Sequence, residues 1–197
     1  RSLLSRRGFK NYVDSGISPE QLMGILTERY QSGWGATEHK TLDFELQEIR
    51  NEYDFIFLDT NPSLTLLTLN SLYTADYILI PAFAEESSRK AIMELENTID
   101  ELREKNSDMH AEIMGILITK YKRHTKIAAA YTSYFQRIAD RLGTVLFETK
   151  IREGIAVAEY ANKKRDLISY APKSPVAMDY QDFATEFLAR VKKMEEG

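Results

Sequence analysis

Residues 53–81 read YDFIFLDTNPSLTLLTLNSLYTADYILIP, and no other stretch limits the fold as much. One unbroken apolar run, Phe55, Ile56, Phe57 and Leu58, closes on Asp59; a second, Tyr77, Ile78, Leu79 and Ile80, closes on Pro81. Strands covered on both faces read as continuous apolar runs, as in parallel sheets. The intervening turn and apolar helical segment are long enough for a parallel crossover. An acid at the carboxyl end of such a strand stands where open α/β sheets take ligands. Asp59 is therefore the first candidate for chemistry. Two roles are open to it: holding the water shell of a Mg²⁺ ion, or capping a helix that starts near Ser63.

The 197 residues suit one domain with a sizeable core. Hydrophobic residues make up 43% and charged residues 28%, the balance of a soluble globular chain. No run of about 18 apolar residues is present to span a membrane, and the first ten residues lack the apolar core of a signal peptide. With no cysteine, disulfides, thiolate metal sites and cysteine nucleophiles are excluded. A formal net charge of −4 argues against a wholly basic nucleic-acid binder but leaves room for local basic patches. Arg1 rather than Met opens the sequence, so a processed, shortened or incomplete amino end is expected.

Elsewhere the pattern alternates. Ser18, Pro19 and Gln21 form a good helix start, followed by Leu22, Ile25 and Leu26 on one face. Residues 31–40 are polar and glycine-containing; the Gly33–Thr41 wording fails the phosphate-loop spacing GxxxxGK[ST], and Trp34 there suits packing equally well. Leu42, Leu46 and Ile49 predict a helix. After Pro81, Glu85 and Glu86 open a loop and helix cap. Ile92, Leu95, Ile99 and Leu102 then recur at helical spacing. Residues 114–119 predict a third strand, and Ile127, Tyr131, Tyr134, Phe135, Ile138 and Leu142 a helix stopped by Gly143. Residues 145–147 predict a short fourth strand, residues 155–162 a short helix and residues 166–175 a turn region. A closing helix carries Tyr180, Phe183, Phe187 and Val191. Strands alternating with helices imply an α/β fold with a mostly parallel sheet flanked by helices. His39, His110 and His124 have no metal-site spacing.

From about residue 42 to the end, the chain resembles the ParA/MinD family of partition ATPases. The resemblance rests on three strings. In the first, Asp59, Thr60, Asn61, Pro62, Ser63 and Leu64 keep the length of the family's Asp-Cys-Pro-Pro-Ser-Leu turn. The second, GILITKYKRHTKIAAAYTSYF, is similar to its GILLTMYDxRT, and the third, VLFETKIREGIAVAEYANKKRDLISYAPKS, to its VFxTxIPRxxxLxEAPxxGKPIxxYDPxS. The likeness implies a P-loop NTPase-like fold of the deviant Walker A class, as one ParA-like domain over residues 1–197. Residues 1–41 would be a divergent or incomplete amino-terminal part and residues 42–197 the core. The family's KGGxGKT loop does not occur in these residues, so the chain as it stands is expected to bind ATP weakly and hydrolyse it little.

For sites, the resemblance implies that Asp59 helps hold Mg²⁺ through water and that Thr60, Asn61, Pro62 and Ser63 sense the γ-phosphate of ATP. It places Thr119, Lys120, Ile151, Arg152 and Glu153 around the nucleotide base, largely through backbone and apolar contact. It assigns DNA binding to Lys122, Arg123, His124 and Lys126, and to Lys163, Lys164 and Arg165, clusters that suit a phosphate backbone without reading bases. His124 and Ala156 occupy places where the family commonly has arginine, and Arg152 and Glu153 replace its Pro-Arg pair. The implied function is plasmid or chromosome partitioning by an ATP-dependent homodimer on non-specific DNA, cytoplasmic and nucleoid-associated, with a ParB-like centromere-binding partner. Two other readings stay open: a MinD-like membrane-associated regulator, and a non-catalytic interaction module derived from the fold.

Overall fold

The computed structural model describes residues 41–47, 49–60, 66–105, 109–122, 125–154, 157 and 166–196. Its elements in order are α1 (Thr41–Gln47), a 3-10 turn (Arg50–Glu52), α2 (Leu66–Thr74), β1 (Tyr77–Phe83), α3 (Glu86–Lys105), β2 (Glu112–Thr119), α4 (Lys126–Arg141), α5 (Leu167–Tyr170) and α6 (Pro175–Glu195). They fall into two compact units. The first takes the described residues up to Asp76 together with Leu102–Ala111; the second takes Tyr77–Glu101 and everything from Glu112 onward.

In the first unit, α1 buries Leu42 and Leu46, one turn apart on a single face, and packs on α2. Buried Leu72 on α2 is joined by buried Thr68, Asn70 and Thr74. The expected strand over residues 55–58 is not formed: these residues lie outside any ladder, and Phe57 is 52% exposed. An unbroken apolar run reports affinity for a protein interior. A strand also needs neighbours to take its N–H and C=O groups, and among the described residues the ladder is built elsewhere.

That ladder is the frame of the second unit. β1 and β2 pair in parallel from Tyr77↔Glu112 to Phe83↔Thr119, with one irregularity between Ile78 and Leu79. The 20-residue helix α3 supplies the crossover, burying Ile92 and Ile99 two turns apart. Met114, Ile116, Leu117 and Ile118 are all buried, as a central strand covered on both faces requires. β1 runs on through Pro81 to Phe83, where the sequence alone suggests a stop. A proline, lacking an N–H, fits a ladder wherever that N–H would point away from the neighbouring strand. Its ring is exposed here.

Helix α4 is capped by Thr125, whose Oγ1 accepts from the N–H of Ala128 at 3.1 Å. Phe135, Ile138 and Ala139 form its buried face, and Gly143 ends it at φ +66°. Ile127, expected on that face, falls in the first turn and is 66% exposed. The expected turn region over residues 166–175 contains α5, whose cap Asp166 accepts from the N–H of Ser169 at 2.7 Å. Pro175 belongs not to that turn but to the first position of α6, behind the cap Ser174.

The fourth strand is present in outline only. Residues 145–153 run parallel to β2 on its other edge, through isolated bridges Ile116↔Leu146 and Tyr121↔Arg152. The N–H of Phe147 donates to the carbonyl of Ile116 (3.0 Å), and that of Ile151 to the carbonyl of Ile118 (2.9 Å). Two steps along β2 are thus matched by four along this segment, and the residues between must bulge out. Glu186 of α6 takes up the freed amides, accepting from the N–H of Glu148 (2.7 Å) and of Thr149 (2.9 Å). The bulge therefore leaves both donors satisfied, which the half-buried Thr149 amide in particular demands.

Gly115 makes the close approach of this segment possible. A Cβ there would lie 2.6 Å from the Phe147 ring and 3.0 Å from the Val145 carbonyl oxygen. Gly115→Ala is expected to cost about 1–3 kcal/mol of stability by overpacking, read as a lower urea midpoint at unchanged slope. An unchanged midpoint would mean that the strand pair can spread without loss.

Candidate functional site

Because β1, β2 and residues 145–153 all run the same way, their carboxyl ends form one rim. Phe83 ends β1 opposite Thr119, which ends β2. The N–H of Phe83 donates to Ser88 Oγ at 2.9 Å, and the N–H of Glu85 to the Phe83 carbonyl at 2.8 Å, so the turn into α3 is tightly tied. Ser87 Oγ donates to the Glu85 carboxylate at 2.5 Å. Glu86 pairs with Arg89 one turn on; that hydrogen bond holds the Glu86 carboxyl below its usual range and raises Arg89. Both acids are tied to side chains at the start of α3, Glu85 to Ser87 and Glu86 to Arg89.

Directly after β2, Lys120 takes φ +49°, the one positive φ at a non-glycine among the described residues. For a residue with a Cβ this costs roughly 1–2 kcal/mol. The turn places Lys120 Nζ 4.4 Å from the centroid of the Phe83 ring, a cation–π contact worth about 0.5–1 kcal/mol at a partly exposed site. Tyr121 then returns to the ladder, its N–H donating to the Ile151 carbonyl at 2.9 Å. Lys122 Nζ stands 3.4 Å from the Glu153 carboxylate, and the Lys122 carbonyl accepts from Thr125 Oγ1 at 3.2 Å.

On the opposite side of the rim, Arg152 is committed. Its backbone N–H, Nε and an Nη all donate to the carboxylate of Asp179 on α6, at 3.0, 2.6 and 2.6 Å. Asp179 is only 5% exposed. The paired carboxylate raises the Arg152 guanidinium further above its already high range. Thr119, Lys120, Ile151, Arg152 and Glu153, read from sequence as one group, are therefore brought together here. Arg152 leaves the rim only its carbonyl, because its side chain and its backbone N–H are both taken by Asp179.

The other sequence-derived residues fall differently. Asp59 and Thr60 lie in the first unit and are exposed. Lys126 is exposed in the first turn of α4, and Lys122 is exposed on the rim. Asn61, Pro62, Ser63, Arg123, His124, Ala156, Lys163, Lys164 and Arg165 lie outside the described residues, as do the helix expected over residues 155–162 and all of residues 1–40. Sequence reading missed Asp179 and Glu186. Their signal was available: two acids seven residues apart on the same stripe of α6 as Phe183, which packs edge-on against buried Phe147 at 5.1 Å.

What the rim offers chemically is a half-exposed aromatic face, the ammonium groups of Lys120 and Lys122, and backbone groups from two adjoining turns. Among the described residues no three His, Cys, Asp or Glu side chains gather as a cation cage. Asp59 is an exposed carboxylate of the first unit, and Mg²⁺ takes one or two protein carboxylates beside substrate phosphates while keeping several waters.

Residues 17–111 match the family model described as an AAA domain. The chromosome-partitioning ATPase Soj of Thermus thermophilus is 31% identical over 148 residues, which cover 75% of this chain and 58% of Soj. Among solved structures, apo McdA from Cyanothece superimposes with a TM-score of 0.64 at 20% identity, over 90% of this chain and 66% of that one. Cobyrinic acid a,c-diamide synthase from Mycobacterium smegmatis, solved with an ATP analogue and magnesium, superimposes with a TM-score of 0.59 at 22% identity, covering 86% and 58%. The chain spans about half the length of the curated relatives it matches.

Proposed function

Since the chain belongs to the ParA/MinD family of partition ATPases, we propose that it is the sheet-and-rim portion of an ATP-dependent partition protein, one that pairs with a second copy and holds DNA without reading its sequence. The observation that carries this reading is the rim. Two turns that the family resemblance assigns to the nucleotide base, Thr119–Lys120 and residues 151–153, are joined by the Tyr121–Ile151 hydrogen bond at 2.9 Å. ATP with Mg²⁺ would supply the energy of the cycle and the charge that the switch reads. Asp59 would hold a Mg²⁺-bound water. Thr60, Asn61, Pro62 and Ser63 would form the segment whose conformation differs between nucleotide states. Thr119, Lys120, Ile151, Arg152 and Glu153 would orient the base, Arg152 through its backbone carbonyl.

DNA contact falls to Lys122, Arg123, His124 and Lys126, with Lys163, Lys164 and Arg165. Lys122 and Lys126 are exposed, which a phosphate-binding role needs. No described helix is long and apolar enough to cross a membrane. A cytoplasmic, nucleoid-associated homodimer acting with a ParB-like partner fits this reading.

Fluorescence anisotropy on a labelled duplex of arbitrary sequence tests it. Affinity is expected to rise with Mg·ATP and to fall steeply between about 50 and 200 mM salt, as counterion release dictates. Combined Lys122→Ala and Arg123→Ala substitution should flatten the log–log salt slope by about two, near one for each lost phosphate contact. Absence of duplex binding with and without Mg·ATP, or binding indifferent to salt, would overturn the DNA role.

A further inference from the structure

Asp179 lies on none of the rim's three strands, yet it holds one of them in three places. Its carboxylate accepts the Arg152 backbone N–H, its Nε–H and one Nη–H. Without it, the outer turn keeps few ties to β2: the Ile151 bonds to Ile118 and Tyr121, and a long 3.4 Å bond from the Glu153 N–H to the Tyr121 carbonyl. The irregular segment 148–150 just before it leans on α6 in the same manner, through Glu186. Helix α6 is firmly seated, with Val176 and Ala177 buried at its start and Val191 near its end. A bidentate arginine–carboxylate pair fixes angle as well as distance.

We propose that Asp179 is a positioning residue for base recognition: acting through Arg152, it sets the backbone of residues 151–153 at the height and angle at which that turn meets the heterocycle. This rests on the reading of the rim as the nucleotide-base site. Asp179 touches no ligand itself. Its effect falls on selectivity between bases, because a turn that shifts by a fraction of an ångström still offers apolar surface but loses its directional hydrogen bonds. The phosphate side of the ligand is left alone.

Ligand-observed saturation-transfer NMR, which detects weak complexes, tests this with Mg·ATP and Mg·GTP as probes. For the wild-type chain, adenine protons should receive stronger transfer than guanine protons, with tighter binding of Mg·ATP. Asp179→Asn keeps the shape but loses the charge; it should lower the ATP-over-GTP affinity ratio about tenfold while Mg·GTP affinity stays within twofold. Arg152→Ala should do the same, and the two together no more than either alone, since both act on one turn. Backbone hydrogen exchange on each variant should show acceleration at Ile151, Arg152 and Glu153 in excess of that at the β2 amides, which report only the loss of global stability; equal acceleration throughout would mark a purely structural role. Binding of Mg·ATP by the wild type with an unaltered base ratio in Asp179→Asn overturns this inference and leaves the nucleotide site standing. Failure of the wild type to bind either nucleotide overturns the nucleotide site, and this inference with it.

Discussion

Replacing Phe147 with alanine is expected to lower the unfolding free energy by about 4 kcal/mol. Phe147 is 1% exposed and is among the largest fully buried side chains described. Its ring is in contact distance of the Gly115 backbone and meets Phe183 of α6 edge-on. Truncation would remove the transfer free energy of a whole ring and leave a cavity walled by β2 on one side and α6 on the other. Neither wall can collapse freely, because Glu186 and Asp179 pin the segment to the helix at fixed distances. Chemical denaturation followed by far-UV circular dichroism measures the loss. A cost below about 1.5 kcal/mol would mean that α6 slides to fill the space, as volume-conserving changes do.

Asp179→Ala should cost about 3 kcal/mol, the penalty for leaving one partner of a buried ion pair without the other. Its guanidinium partner is partly solvated, with a side-chain exposure of 28%, which keeps the cost at the lower end of that class. The Arg152 N–H would lose its acceptor as well. Arg152→Ala should cost at least as much, since it strands the more deeply buried member of the pair, Asp179, at 7% side-chain exposure. In a double-mutant cycle the combined change is expected to fall short of the sum by about 1–3 kcal/mol. Simple additivity would show that the three hydrogen bonds contribute no coupling, and that α6 is held by its apolar face alone.

Much of the second unit was legible in the chain. The runs at residues 77–80 and 114–119 are strands, and the spacing of Ile92 and Ile99 gives the buried face of α3. Those signals are local, and periodicity reads local signals well. The departures share a cause. Whether residues 55–58 join a ladder depends on a partner that apolarity does not name. Residues 145–153 lose strand regularity because α6, 27 to 38 positions away, captures the amides of Glu148, Thr149 and Arg152. Ile127 is exposed because Thr125 starts the helix, which fixes a phase that leaves the first turn outside the core.

The site divides along the same line. Thr119, Lys120 and residues 151–153 were named together from the resemblance, and the parallel run of three strands brings their carboxyl ends to one rim. The resemblance carried no information on what lies behind that rim. Arg152 read as a replacement for the family's proline beside the base, whereas its side chain points to Asp179 on α6. The positive φ of Lys120 and its seat over Phe83 were likewise invisible to composition or spacing.

The most direct measurement of the central claim is a titration of the isotope-labelled chain with Mg·ATP, followed by amide chemical shifts. Shifts concentrated at Phe83, at residues 119–122 and at residues 151–153 are expected, with the amides of β2 before Ile118 unmoved. Shifts that spare both turns and gather elsewhere, or none at millimolar nucleotide, would contradict the assignment of this rim to the base.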